Sequence, residues 1–436
     1  MLGNTKFGAF PRRVQSNEPR VYSLDLGMRL LHAALRHLIR KGTLTLNAPC
    51  GRSMRIGLGH PSVVVYVADA ETIWRLLLNP DLAVGEAYMD GKLMVENGDI
   101  YDFLDLCLGN LGRDHGNWIQ RLHYQLSRLW RPLAQYNPIP QARANVAHHY
   151  DLASQLYGFF LDDDRQYSCA YFASEDDTLE QAQENKKRHI ATKLLLKPGQ
   201  RVLDIGSGWG GLAAHLARTA QVNVTGITLS TEQLVYAQHQ TSDIRDRVQF
   251  NLMDYRQVSG RYDRIVSVGM VEHVGVDHFR TYFHRIRDLL VDDGVALIHT
   301  IGCANGPGAA HPWISKYIFP GGYVPALSEL IPLIERVGLY VTDVEVLRLH
   351  YARTLKAWRE CFRGRSAEVA GIYDERFCRM WEFYLAGCEA AFRHSGLVVF
   401  QIQLGKRIDG VPMTRDYMYA HQNGQDIDVI PTTAMV

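Results

Sequence analysis

Apolar residues recur at helical spacing from Leu24 to Ile39, which predicts an amphipathic first helix. The stretches Gly42 to Leu46, Met54 to Leu58 and Val63 to Val67 are rich in valine, threonine and isoleucine. Glycine, proline and asparagine separate them, the pattern of short strands. Helical spacing returns over Ala70 to Leu78 and over Ile100 to Leu108. Residues 21–115 are therefore expected to form a small α+β domain, preceded by a polar, flexible lead-in over residues 1–20.

A segment at 116–140 mixes aromatic and aliphatic residues (Trp118, Leu122, Tyr124, Trp130) with Arg121, Arg128 and Arg131, and ends in the breaker run Asn137 to Pro140. It reads as a linker helix at a domain boundary. Two roles are open for it: an interfacial helix whose arginines meet phosphate headgroups, or packing between domains. From residue 141 the pattern becomes strand, glycine-rich turn, helix and strand again, the signature of a doubly wound, Rossmann-like α/β sheet over 141–407. Arg201 to Ile205, Asn223 to Ile227, Val248 to Leu252, Arg264 to Val268 and Val295 to Thr300 are its expected parallel strands, and a long helical insertion is expected from about Leu327. The tail at 408–436 carries no interpretable pattern.

Composition narrows the function classes. The 436 residues suggest two domains or three. Lysine plus arginine number 47 against 46 aspartates and glutamates, which argues against a nucleic-acid binder with a strongly basic face. Seven scattered cysteines, with no Cys-x-x-Cys pair, fit a reducing cytoplasm and no metal site. The first residues lack the apolar core of a signal peptide, and no stretch approaches the roughly 20 apolar residues of a membrane span. Membrane contact is therefore expected to be peripheral.

The central chemical signal is Val202-Leu203-Asp204-Ile205-Gly206-Ser207-Gly208-Trp209-Gly210-Gly211, a strand running into glycines that open a helix. Glycine there lets backbone approach a ligand. Alone, such a turn fits a dinucleotide pyrophosphate as well. Asp204 tips the balance, because a carboxylate beside the first glycine repels phosphate and suits the ammonium end of a methionine-derived cofactor. The next strand ends at Thr228 and Leu229, with Gln233 where a dinucleotide enzyme carries an acidic residue for the ribose. Asp254 and Tyr255 follow the third strand, placing a carboxylate and a ring for an adenine.

These motifs, in order, are similar to those of the cyclopropane-fatty-acyl-phospholipid synthase family, relatives of the mycolic acid cyclopropane synthases. The resemblance rests on His149-Tyr150-Asp151, Tyr167 to Phe172, Leu203 to Ala213, Gly226 to Ser230, Asp263 to Gly275, Leu297 to Ile301, Pro312-Trp313, Lys316 to Gly321 and Glu375 to Phe377. It is dense over residues 140 to 405 and looser before them. It implies a cofactor, S-adenosylmethionine, bound by Tyr167, Ser168, Gly206, Thr228, Leu229, Gln233, Asp254 and Tyr255, beside Asp204 and Gly208 of the turn. It also implies a bound bicarbonate, held by backbone at Cys169 and Ile301 and by the side chains of Glu272, His299 and Tyr351. The implied substrate is the cis double bond of an unsaturated phospholipid acyl chain. The implied setting is a cytoplasmic homodimer that meets the inner face of the membrane transiently through its front domain.

The chemistry explains that constellation. An alkene is a feeble nucleophile that a sulfonium methyl can draw into attack, and the resulting cation closes a ring when a small base removes a proton. Tyr167, Tyr171 and Tyr317 could steady positive charge through their ring faces. Read without the resemblance, Glu272-His273 is a helix-starting pair, His299 a core histidine and Tyr351 a packing residue. Cys169 has no adjacent base and reads as a lining residue. Three departures from the family pattern stand out: Ser207 for a cysteine, Val271 for a phenylalanine, and the charged run Asp163 to Gln166 near the expected substrate mouth. Competing classes are a relative that yields a methyl- or methylene-branched chain, a methyltransferase for nucleic acid or small amines, and a non-catalytic lipid binder.

Overall fold

The computed structural model describes residues 18–112 and 154–420. The segment expected at 116–140, the His149-Tyr150-Asp151 motif and the end of the tail lie outside them. The chain divides into two compact units, Met1–Asp99 and Ile100–Val436.

In the first unit, helix α1 (Glu18–Leu38) begins ahead of the expected Leu24. Strands β1 (Gly42–Ala48), β2 (Arg52–Leu58), β3 (Ser62–Val67) and β4 (Leu93–Asn97) form a sheet in the order β2-β1-β3-β4. Helix α2 (Ala70–Leu78) is capped by Asp69, whose Oδ1 accepts the Thr72 amide at 2.7 Å. Helix α3 (Pro80–Met89) and β4 were not legible in the apolar pattern. Apolar residues lie all round α3 rather than on one stripe, and β4 is only five residues long.

The second unit opens with α4 (Ile100–Leu111). It then builds a seven-stranded sheet in the order β10 (Tyr340–Leu347), β11 (Leu397–Gly405), β9 (Leu290–Cys303), β8 (Tyr262–Val268), β5 (Arg201–Ile205), β6 (Asn223–Thr228) and β7 (Val248–Leu252). Strands β5, β6, β7, β8 and β9 run parallel, which bears out the doubly wound fold. Alternate residues feed two cores. Val202, Val266 and Leu297 face helices α5 (Leu179–Lys193) and α6 (Gly211–Ala220), while Leu203, Ile265 and Ile298 face α8 (Phe279–Leu289). Between β6 and β7 lies α7 (Thr231–Gln240).

The region expected to be a helical insertion is instead interrupted by strand. After α9 (Leu327–Arg336) comes β10 (Tyr340–Leu347), then α10 (His350–Gly364) and α11 (Glu375–His394), then β11 (Leu397–Gly405), with β10 and β11 antiparallel at the sheet's edge. Asp343 occupies a buried position in β10, and Gln401 and Gln403 are buried in β11, so polar residues mask the strand alternation. The start of the tail closes this edge. Arg415 pairs with Asp343, and the Tyr417 hydroxyl accepts from Gln403 Nε2 at 2.9 Å.

Candidate active site

The parallel order reverses at β5, where the chain passes outward to β6 on one side and β8 on the other. An open cavity lies at the carboxyl ends of these strands, where open α/β sheets hold ligands. All ten positions expected around the cofactor line it: Tyr167, Ser168, Asp204, Gly206, Gly208, Thr228, Leu229, Gln233, Asp254 and Tyr255.

The glycine turn is fixed onto the neighbouring strand, since the amides of Gly206 and Ser207 both donate to the Ile227 carbonyl, at 3.0 and 2.9 Å. Gly206 has φ +84° and Gly208 φ +53°, conformations that favour glycine. Gly210, φ +89°, caps α6, and a Cβ there would lie 2.7 Å from that of Ala237. The Ser207 hydroxyl donates to the Ile227 carbonyl at 3.3 Å, and Val271 is packed in the core. The Thr228 hydroxyl donates to Gln233 Oε1 at 2.8 Å, which fixes the buried Gln233 side chain in the cavity lining.

Asp204 is buried and its Oδ2 has no hydrogen-bond partner among the described residues. Burial pushes its carboxyl up to about 7, against the pull of the Lys186 ammonium. Asp254 is less available than expected. Its Oδ1 accepts from the Arg256 amide at 2.9 Å and from Nε at 2.7 Å, and its Oδ2 accepts from the same guanidinium at 2.7 Å. The Tyr255 hydroxyl is buried without a partner among the described residues, and its ring meets that of Tyr282 edge-on at 5.3 Å.

The loop carrying Tyr167 and Ser168 is held from α5. Gln183 Nε2 donates to the carbonyls of Gln166 and Ser168, both at 3.1 Å. Lys186, fully buried, donates to Gln166 Oε1 at 2.6 Å and to Ser168 Oγ at 2.8 Å. Tyr167 stacks on Trp358, and its hydroxyl lies 2.8 Å from that of Tyr384. The charged run before it borders the cofactor cavity. Arg165 and Gln166 line the cavity, Arg165 lies 4.2 Å over the Tyr236 ring, and Asp164 pairs with Lys187 at 2.7 Å.

The five residues expected at the base sit outside this lining. Glu272, in the turn after β8, is buried, and its Oε1 accepts the Ile301 amide at 2.6 Å while Oε2 has no partner among the described residues. Burial raises its carboxyl to about 7. His299 stands two residues before Ile301 on β9; its Nδ1 lies 3.1 Å from Gln401 Nε2, and its Nε2 is buried with no partner among the described residues. Burial, with Lys186 and Lys193 nearby, drops the imidazole to about 3. Tyr351 is buried on α10, its ring edge-on to Trp358 at 5.8 Å. The Cys169 thiol is pushed far up by burial, and the next amide, of Ala170, donates to Thr354 Oγ1 at 3.0 Å, which ties the loop to α10. Glu272 and Ile301 are thus directly joined, and His273 and Met270, beside Glu272, reach the cofactor cavity. Tyr171 and Tyr317 lie elsewhere. Tyr171 stacks on His189 and His350, at 4.3 and 4.9 Å, and Tyr317 packs with Trp313 at 5.3 Å.

Residues 139–402 match the family described as mycolic acid cyclopropane synthetase. The chain belongs to that family. Among relatives of this synthetase family, the cyclopropane-fatty-acyl-phospholipid synthase of Escherichia coli K12 is 37% identical over 79% of this chain and 88% of its own length. A probable fatty acid methyltransferase of Pseudomonas putida is 36% identical over 82% of this chain and 92% of its own. The mycolic acid cyclopropane synthase CmaA1, solved with SAH and CTAB, is 32% identical, with a TM-score of 0.58 over 62% of this chain and 99% of that one. This family member is an S-adenosylmethionine-dependent methyltransferase.

Proposed function

We propose that the enzyme adds the methyl carbon of S-adenosylmethionine to the cis double bond of an unsaturated phospholipid acyl chain and closes a cyclopropane ring, with bicarbonate as the base. The observation that carries ring closure is a pair of buried polar atoms without a partner among the described residues, Glu272 Oε2 and His299 Nε2, supplied by the turn after β8 and by β9. Orphaned buried groups are costly and call for a ligand.

The residues fit both small molecules. The Gly206 and Gly208 backbone, Gln233 and the free Asp204 oxygen suit a cofactor bearing an ammonium group and a ribose. When bound, S-adenosylmethionine supplies an electrophilic methyl carbon. Bicarbonate would supply a base smaller than any side chain. Glu272 Oε2 would accept its hydroxyl proton and His299 Nε2 would donate to its oxygens, with Tyr351 as a further donor. Because the Ile301 amide already serves Glu272 Oε1, an anion there would share that donor. Tyr167, on its pinned loop, would present a ring face to the positive charge, and the surrounding aromatic wall of Trp358, Phe160 and Tyr157 would keep water out.

No helix among the described residues is long and apolar enough to cross a membrane. On this reading, which follows the resemblance to the synthase family, the enzyme would work as a homodimer that meets lipid transiently at the inner face of the membrane. The test is incubation of the enzyme with labelled S-adenosylmethionine and vesicles of unsaturated phospholipid, followed by NMR of the released acyl chains. Upfield ring-methylene protons are expected, and a labelled chain without them would sink the synthase reading. A second reading, a methyl- or methylene-branched product, draws on the similarity to the Pseudomonas putida fatty acid methyltransferase. The same spectrum separates the two.

A further inference from the structure

His299 and Gln401 stand directly opposite each other where β9 and β11 pair antiparallel. Gln401 is fully buried, with Lys193 of α5 on its other side, also fully buried. Lys193 Nζ donates to Gln401 Oε1 at 2.9 Å and also pairs with the Glu345 carboxylate. That carboxylate accepts from His189 Nε2 at 2.6 Å as well. Burial raises the Glu345 carboxyl, but the hydrogen bond from His189 and the charge of Lys193 outweigh it and hold the group down to about 2. Burial in turn lowers the Lys193 ammonium, and the Glu345 carboxylate, in direct contact with it, opposes that loss and favours the charged form.

An ammonium donates and never accepts. The amide of Gln401 must therefore turn its carbonyl oxygen to Lys193, because the reverse would set an NH₂ group against three N–H donors. The turn leaves the amide nitrogen, a donor only, against His299 Nδ1 at 3.1 Å. Nδ1 must then accept, and a neutral imidazole whose Nδ1 accepts carries its hydrogen on Nε2. Chemistry, rather than a choice between equivalent orientations, sets this assignment.

We propose that Lys193 and Gln401 are positioning residues that lock His299 in its Nε2–H tautomer, so that the buried, unpartnered Nε2 is a standing hydrogen-bond donor for an anion. The consequence rests on the reading that bicarbonate binds at Glu272 and His299. There His299 can hold the base but cannot be the base, since its one free ring atom already bears the proton. Of these three residues the family resemblance marks only His299; the lock lies in the two behind it.

The test uses full-length enzyme with ¹⁵N-labelled histidine and long-range proton–nitrogen correlation, the His299 signal being assigned by its loss in His299→Asn. A protonated Nε2 and a bare Nδ1 are expected, unchanged from about pH 5 to about pH 9. Gln401→Glu places a carboxylate that accepts from both Lys193 and His299, so the hydrogen should move to Nδ1. Turnover should then fall about 10- to 100-fold, with S-adenosylmethionine affinity unchanged by calorimetry. An Nδ1–H tautomer in the wild type, or an unmoved tautomer in folded Gln401→Glu, would overturn the lock. Added sodium bicarbonate should shift the Nε2–H resonance of the wild type. If the tautomer is as expected and bicarbonate leaves it unmoved, the anion reading fails while the lock stands.

Discussion

Glu272 Oε1 and the Ile301 amide are joined at 2.6 Å, a bond that ties the turn after β8 to the carboxyl end of β9 and leaves the second carboxyl oxygen of Glu272 buried, with no partner among the described residues. Glu272→Gln retains an oxygen for the Ile301 amide but removes the charge. Turnover should fall by about 100-fold or more, the scale of a lost proton-handling group, while S-adenosylmethionine affinity by calorimetry changes little.

The same substitution should stabilise the protein in a defined pH window. Burial raises the Glu272 carboxyl to about 7, above its value in the unfolded chain. The folded state therefore binds the extra proton between about 4.5 and about 7, and wild-type stability declines across that interval. Glu272→Gln lacks this loss and should gain up to about 3 kcal/mol on the wild type by pH 7. Denaturant melts at pH 4.5 and pH 7 read the difference, and equal offsets at both would contradict the buried-carboxyl assignment.

Asp204 makes cofactor binding pH-dependent. Its carboxyl, raised to about 7 by burial, is half-protonated near neutrality. An ammonium placed beside it favours the anion, so binding below pH 7 must expel a proton. S-adenosylmethionine affinity should rise about tenfold per unit up to about pH 7 and then level off. Calorimetry in buffers of different ionisation heat should detect the released proton. Asp204→Asn should abolish the release and weaken binding by about 1.5–3 kcal/mol.

The glycines separate two kinds of constraint. Gly208 has φ +53° and open space around a would-be Cβ, so Gly208→Ala costs conformational strain alone, about 1–2 kcal/mol. Gly226 has no such φ, but a Cβ there would lie 2.5 Å from Phe250 Cδ1 in a packed core, at an overpacking cost of about 1–3 kcal/mol. Gly208→Ala should spare the melting temperature more than Gly226→Ala while weakening cofactor binding, because only Gly208 lines the cavity.

These contrasts show where the sequence was legible. The cavity positions could be found because they follow local rules: a strand, a glycine turn, and polar residues at successive strand ends. Lys186, Lys193 and Gln401 follow none. A helix reading Gln183-Glu184-Asn185-Lys186-Lys187 looks like a solvated face, and only the fold shows that Lys186 and Lys193 turn inward. Likewise β10 and β11 hide behind inward-facing Asp343, Gln401 and Gln403, whose partners come from distant parts of the chain. Asp254 was found by position, but its occupation by Arg256, two residues on, depends on side-chain direction.

Lys186 shows that the site is assembled at some cost in stability. Its ammonium is wholly buried and hydrogen-bonds to neutral oxygens of Gln166 and Ser168 rather than to a carboxylate, and burial lowers it to about 8. The unfolded chain, with an ordinary lysine near 10.5, therefore binds more protons between about pH 8 and about pH 10.5, and wild-type stability should rise through that window. Lys186→Met removes the buried charge, so its melting temperature should match or exceed the wild type's at pH 7, and the gap should close as the pH approaches about 10. Function should move the other way. Without the ammonium, the loop bearing Tyr167 and Ser168 loses its tether, and Asp204 loses the charge that restrains its carboxyl from rising further. The midpoint of the pH dependence of S-adenosylmethionine binding should therefore move above about 7, and affinity at pH 7 should fall about tenfold. A variant that gained stability with an unmoved midpoint would show that Lys186 braces the loop without acting on Asp204.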